Sequence, residues 1–183
     1  MGNELFAALL REAGWEDALS CLPADDLKVQ YPLQRLGNIF SALESLAGKR
    51  AQNGVLQRSG RACFHNLQRR STPPLGIFTA GVLTLPKRLK VKRCGEILAD
   101  YFQRYMRIDF LLEPSQDALK WGFSIPEQDV LLGDGLASLW FGFWSELLYT
   151  LSGGKPHLLE FTPAAGASQP LWVIRIPYLP FEG

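Results

Sequence analysis

Acidic residues are missing from the middle of this chain. Between Ser45 and Gly95 there is no Asp or Glu, yet eleven basic residues stand there: Lys49, Arg50, Arg58, Arg61, Arg69, Arg70, Lys87, Arg88, Lys90, Lys92 and Arg93. The flanks carry the other eight basic residues and all eighteen acidic ones, so a net charge of +1 conceals a polarised sequence. Either middle and flanks pair across the folded surface or a subunit contact, or the middle faces an anionic ligand or acidic partner; a nucleic-acid partner is not expected. Cysteine is scarce too. Cys21, Cys63 and Cys94 form no CxxC pair and no disulfide ladder, which suits a reducing cytoplasm. Each lies beside apolar helical positions and reads as a small core residue. His65 and His157 are the only imidazoles and have no Cys or His at ligand spacing, so no metal site and no cofactor is expected. There is no Gly-x-Ser-x-Gly elbow and no legible His–carboxylate pairing, which points away from catalysis. The first residues lack a basic stretch followed by an apolar one, and Phe6 stands where a myristoylation motif wants Ser or Thr, so a cytoplasmic location is expected.

What the chain has is length for one domain over residues 1–183, and an unusual apolar segment near its end. From Leu136 to Leu151 nearly every residue is Leu, Phe, Trp or Tyr; at helical spacing Ser138, Gly142, Ser145 and Glu146 fall on one narrow stripe. A helix so apolar must be covered on nearly all sides by sheet, helices or a second subunit, and a homodimer is the expectation. It is too short and too tightly bounded by glycines to span a bilayer.

Upstream, apolar periodicity predicts helices over Glu4 to Ala13, over Leu36 to Leu46 closed by Gly48, over Asn53 to Arg69, and from Pro86 to about Met106. Gly60 costs helix propensity inside the third of these, which predicts a close backbone approach on its face. The last begins with several Lys and Arg, the wrong sign for the positive end of a helix dipole, so an acidic neighbour is expected opposite. The period then changes to two. Ile108 to Glu113 and Ala118 to Ile125 read as a hairpin about Pro114 to Asp117, and His157 to Thr162 and Leu171 to Pro177 as two later strands. The fold class is α+β: N-terminal helices on a four-stranded, mainly antiparallel sheet, with the buried aromatic helix between the strand pairs.

Val130 to Ser138, with Gly133 and Gly135, imitates a dinucleotide fingerprint followed by a strand with Glu160. Ser138 replaces the third glycine and Asp134 would set a carboxylate against the phosphates, so a glycine turn entering a buried helix is the better reading. The aromatics converge from several elements. Phe102, Trp121, Phe123, Trp140, Phe143 and Trp144 are candidate walls of an apolar pocket, with Arg58 and Arg61 at its rim for a ligand carboxylate; a plain packed core is the alternative.

Two stretches resemble the 4-vinyl reductase, or hydrocarbon-binding, domain. One runs Leu36-Gly-Asn-Ile-Phe-Ser-Ala-Leu43-Glu44 to Gly48 and on through Arg58, Gly60 and Arg61. The other comprises Leu119-Lys-Trp-Gly-Phe, the helix with Gly142, Gly153-Gly154-Lys155, Leu158-Leu-Glu160 and Trp172-Val-Ile-Arg-Ile176. The resemblance covers about residues 30–177. It implies an α+β fold shared with vesicle-tethering subunits and aromatic-sensing regulators, a homodimer and a lipophilic pocket. Family members that bind metal use cysteines around the glycine-rich helix and the following strand, and Ser124 to Leu139 and Thr162 to Gln169 contain none. The expected function is therefore metal-free binding of a hydrophobic small molecule, with a tetrapyrrole reductase or its accessory protein, and a structural adaptor, as alternatives.

Overall fold

The computed structural model describes residues 3–20, 33–69, 80–106, 108–125, 130–162 and 171–181. Cys21, the proline-rich break after Arg70 and the small-residue stretch 163–170 lie outside them. Among the described residues there are six α-helices: α1 (Asn3–Glu12), α2 (Leu33–Ala47), α3 (Lys49–Arg69), α4 (Ala80–Leu83), α5 (Lys87–Met106) and α6 (Val130–Leu151). A 3₁₀ turn at Glu16–Leu19 follows α1. The strands β1 (Asp109–Pro114), β2 (Ala118–Ser124), β3 (Glu160–Thr162) and β4 (Leu171–Pro177) form one antiparallel sheet in the order β1-β2-β4-β3. The α+β class read from the change of period holds.

The hairpin closes through Ser115, whose Oγ accepts from the Ala118 N–H and sits 2.9 Å from the Asp117 carboxylate. β2 then pairs with β4 along its whole length, Ala118 opposite Pro177 and Ser124 opposite Leu171. The inward residues of this central pair, Leu119, Trp121, Phe123, Trp172, Ile174 and Ile176, are all buried. β3 begins at Glu160, three residues later than the pattern suggests; in place of a ladder bond, the His157 ring meets the Pro177 carbonyl at 3.0 Å.

The cover for α6 comes from its own chain. Among the described residues, α3 and α2 pack along it and β4 supports it, leaving Leu131 and Tyr149 as its exposed large apolar residues. The polar stripe is the seam with α3. Ser138 Oγ donates to Asn53 Oδ1 at 3.1 Å, and Glu146 Oε1 meets His65 Nε2 at 3.1 Å. Between these contacts the backbones touch: a Cβ on Gly142 would lie 1.9 Å from the Gln57 carbonyl oxygen, and one on Gly60 1.9 Å from that of Leu139. The close approach expected at Gly60 is real. The covering role assigned to a second subunit is filled by α3.

α6 also starts earlier than expected. Gly133, Asp134 and Gly135 are helical, with no turn before Leu136. A Cβ at Gly133 would sit 2.0 Å from the Trp172 indole, and one at Gly135 2.1 Å from the Phe40 ring. These glycines make room for rings. No phosphate-cradling loop exists there, because the backbone N–H groups beyond the first turn are committed to the helix. Asp134 ties three elements together, accepting from Trp172 Nε1 at 3.0 Å and lying 3.3 Å from Lys49 Nζ.

Candidate functional site

The aromatic residues singled out from sequence do converge. Phe123 stands 4.4 Å from Trp140 between ring centroids, Trp121 stands 4.9 Å from Trp140, and Trp144 stands 5.8 Å from Trp121, all edge to face. Phe102 reaches from α5 to Trp140 at 5.6 Å and Phe143 at 6.3 Å. The sequence reading missed Phe110 of β1, whose ring lies tilted at 4.7 Å from Trp121 and 5.2 Å from Trp140. Strand alternation carries the signal: β1 is half-covered, and Phe110 and Leu112 are its inward positions. Trp121, Trp140, Trp144 and Phe123 are fully buried, whereas Phe102, Phe110 and Met106 are half-buried and form the rim where the cluster approaches solvent.

This cluster is closely packed, yet two of its polar atoms are orphaned. The indole N–H groups of Trp121 and Trp144 are buried and have no hydrogen-bond partner. A buried donor left unpaired costs about 1–3 kcal/mol. Edge-to-face neighbours offset part of that through N–H···π contact, but such contacts are weak.

Arg58 and Arg61 do not join the rings. The buried face of α3 is Gln52, Leu56, Gly60 and Phe64, and both arginines are exposed on other faces of that helix. One reason is simple rotation: at 100° per residue Arg58 lies 200° from Gly60 and Arg61 lies 100° from it. Cys63 is exposed as well, contrary to its reading as core, while Cys94 is buried. Burial pushes the Cys94 thiol up to about 12, with Lys90 pulling the other way, so it remains a protonated thiol.

A second feature lies at the opposite end of α5. A small cleft of about 20 Å³ is lined by Lys87, Lys90, Val91, Leu148, Leu151, Ser152, His157 and Tyr178. It holds about one water molecule. His157 Nε2 and the Tyr178 hydroxyl are buried without partners. Among the described residues no group of three or more His, Cys, Asp and Glu side chains comes together in a form that could hold a metal ion.

Comparison with solved structures decides the fold. A Cs H-NOX carrying an unnatural amino acid matches all of this chain over 91% of its own, with a TM-score of 0.60 at 12% identity. The fold is that of the H-NOX domains. A point mutant of the T. tengcongensis H-NOX matches 98% of this chain and 90% of its own, with a TM-score of 0.59 at 11% identity. An oxygen-binding H-NOX domain related to soluble guanylate cyclases, in its oxygen complex, matches 100% and 90%, with a TM-score of 0.52 at 12% identity. No protein-family model matches the sequence, and no curated protein does. The resemblance to the 4-vinyl reductase domain is thereby corrected, since the structural neighbours are H-NOX domains. Its residues were glycines and apolar positions, which packed helices on a sheet require in any such fold; Gly60 and Gly142 serve a helix crossing here. No helix among the described residues is long and apolar enough to cross a membrane.

Proposed function

We propose that this domain is a non-catalytic binding module on the H-NOX fold, responsive to a small apolar molecule that carries a hydrogen-bond acceptor. The observation that carries the reading is the pair of unpartnered indole donors, Trp121 Nε1 and Trp144 Nε1, inside an apolar surrounding rich in rings. An apolar ligand with one carbonyl or comparable acceptor matches both the rings and the donor. The half-buried rim at Phe102, Phe110 and Met106 is its route inward, because moving Phe102 uncovers Trp140 and Phe143 at once. Homodimerisation and cytoplasmic residence belong to the same proposal, and sedimentation at micromolar concentration tests the first.

The name H-NOX denotes haem-dependent nitric oxide and oxygen binding, so the fit of haem to these residues is a fair question. Haem iron needs an axial His, thiolate, Met or Tyr beside a slot for the macrocycle. His65 sits on the α3–α6 seam against Glu146, His157 is engaged by Pro177, and Cys94 is held as a thiol. Of these only His157 lines a cleft, one with room for about one water, and the centre of the aromatic cluster, against which Tyr101 and Met106 pack, is filled by rings at 4.4–5.8 Å. A cleft of 20 Å³ is far below the roughly 300 Å³ at which ligand pockets begin. Haem does not fit the described residues.

The test compares acetophenone with toluene, which differ chiefly in the carbonyl, by following the indole N–H resonances of wild type and of Phe102→Ala. Acetophenone is expected to bind more tightly and to shift the Trp121 or Trp144 signal, and Trp121→Phe with Trp144→Phe is expected to erase the difference. Silence of both compounds on both proteins refutes the reading. The close packing of the rings then favours the second one, an adaptor with a solid core.

A further inference from the structure

The basic start of α5 lacks the acidic neighbour that its charge calls for. Lys87, Arg88 and Lys90 crowd the positive end of a 20-residue helix, where cations are disfavoured. One turn later the problem is solved locally: Lys92 and Arg93 share Glu96 at 3.8 and 2.9 Å. Arg88 donates to the Ser115 carbonyl at 3.0 Å and lies 5.6 Å above the Tyr178 ring. Among the described residues, Lys87 and Lys90 have no carboxylate partner. The preceding chain, back to Ser45, contains no Asp or Glu to offer one.

Both lysines line the cleft described above, and so do the two orphaned polar groups. Tyr178 is only 4% exposed, and its hydroxyl meets nothing. The His157 tautomer follows from its neighbour. A carbonyl only accepts, so Nδ1 carries the proton shared with Pro177, and in the neutral ring Nε2 is a bare acceptor. Ser152 has its one hydroxyl proton committed between the Leu148 and Lys155 carbonyls, at 2.7 and 2.6 Å. The remaining walls, Val91, Leu148 and Leu151, are apolar.

We propose that this cleft binds a small carboxylate, held by Lys87, Lys90 and the Tyr178 hydroxyl, with His157 taking up a proton as the anion enters. The charges facing His157 all favour such a guest. From α5 come Lys87 and Lys90, with Arg88 over the Tyr178 ring; from just beyond β4 comes Tyr178. The end of α6 offers no charged side chain there, only the partial negative charge of its terminal carbonyls, a fraction of one unit against two ammonium groups. Burial, and to a lesser degree Lys87, holds the empty ring below the ordinary imidazole range, against the opposing pull of the Pro177 carbonyl. A bound anion reverses the balance by stabilising the imidazolium, whose Nε2 becomes a donor. Proton and carboxylate therefore bind together. The cleft has room for about one oxygen atom, so the ligand offers one carboxylate oxygen inward while the rest stays outside it.

The experiment is a titration of the folded protein with formate at pH 6 and pH 8, at constant ionic strength set by chloride, reading the His157 ring nitrogens and the Tyr178 ring by NMR. Saturating formate is expected to raise the His157 pKa by about one unit, which by linkage makes binding about tenfold tighter with that ring protonated than with it neutral. Tyr178→Phe keeps the packing and removes the hydroxyl, and Lys90→Gln removes one charge; each is expected to weaken binding about fivefold or more. His157→Gln is expected to leave weaker, pH-independent binding. Hexanoate in place of formate tells whether the carboxylate arrives free or on an apolar chain. The proposal is overturned if formate moves neither ring at about 100 mM, far above the millimolar range of weak binding, or if chloride alone reproduces the shift. In either case the cleft holds only water. The aromatic cluster is reported by different resonances, so this result and the indole result stand apart.

Discussion

Alanine at Gly142 should separate two opposing effects by sign. In an exposed helix, Gly→Ala gains about 0.8–1.0 kcal/mol of helix propensity. Here the new Cβ would meet the Gln57 carbonyl oxygen at 1.9 Å and its carbon at 2.6 Å, both backbone atoms that no rotamer change can move. Restoring ordinary contact requires α3 and α6 to part by roughly 1.5 Å. That parting loosens the Ser138–Asn53 and Glu146–His65 contacts and the Phe64–Phe143 ring pair, which stands at 5.6 Å. Overpacking costs about 1–3 kcal/mol and more where backbone collides, so the net expected loss is about 2 kcal/mol. For a domain of this size that lowers Tm by about 4–8 °C. Gly54 supplies the control within α3, because a Cβ there meets only the mobile end of Arg58 at 3.9 Å. Gly54→Ala should raise Tm by about 2–4 °C. The measurement is paired thermal and urea unfolding. If Gly142→Ala matches or exceeds wild type, the backbone-contact account of the seam is wrong. Gly60→Ala should resemble Gly142→Ala, and the double variant should cost less than the sum, since one separation of the helices relieves both clashes.

Further outcomes follow from the same geometry. Cys94, pushed up to about 12, should resist thiol reagents at pH 8 until the protein unfolds, whereas Cys63, solvent-exposed although its surroundings also raise its thiol, should react faster than Cys94 in the native state; equal rates would contradict the burial. His157 has its pKa lowered on folding, so the unfolded chain binds the proton more readily. Its contribution to stability should be complete above pH about 6.5 and decline as pH falls through the depressed folded value. Urea midpoints of wild type and His157→Gln should converge toward acid, and parallel curves would refute the linkage. Asp134→Ala strands the Trp172 N–H and leaves Lys49 with Glu44 alone, an expected loss of about 1–3 kcal/mol in urea unfolding. Adding haem to the purified protein should give no stoichiometric Soret band, and saturation at one haem per chain would overturn the packing argument.

Much of the architecture was legible because periodicity is a local property. The face of α3, the hairpin at Pro114 to Asp117 and the polar stripe of α6 each follow from spacing alone. What failed depended on partners distant in sequence. Gly133 and Gly135 read as a turn because the rings they accommodate, Trp172 and Phe40, lie 39 and 95 positions away. Arg58 and Arg61 look like a rim for the aromatic cluster only until the helix face is fixed by α6. Of the candidate pocket, the convergence of Trp121, Phe123, Trp140 and Phe102 was visible in the strand and helix patterns, but whether rings leave a slot depends on sub-ångström packing that no pattern encodes. The orphaned indole donors and the uncompensated start of α5 sit at that same level. The charge asymmetry of the sequence pointed to the second only as a place where an acidic neighbour was expected, and among the described residues Lys87 and Lys90 have none.

The shortness of β3 has a consequence for how the sheet ends. Among the described residues, only Val173, Ile174 and Arg175 of β4 have partners on that side, so the end at Ile176 and Pro177 presents open edge. Open edges invite pairing with another chain. Here the gap is closed by side chain and loop: the His157 ring satisfies the Pro177 carbonyl, and the Phe181 N–H donates to the Pro156 carbonyl at 2.9 Å. At the opposite edge of the sheet, β1 places exposed Asp109 and Glu113 along its length and stops at a proline, which has no N–H to offer. The two borders are thus guarded by unlike means, polar side chains and a proline carried by the strand itself on one, and a ring and loop held in place only by the fold on the other. Unfolding would release the second guard while leaving the strand's hydrophobic sequence intact, making β4 the segment from which aggregation of the unfolded chain should begin.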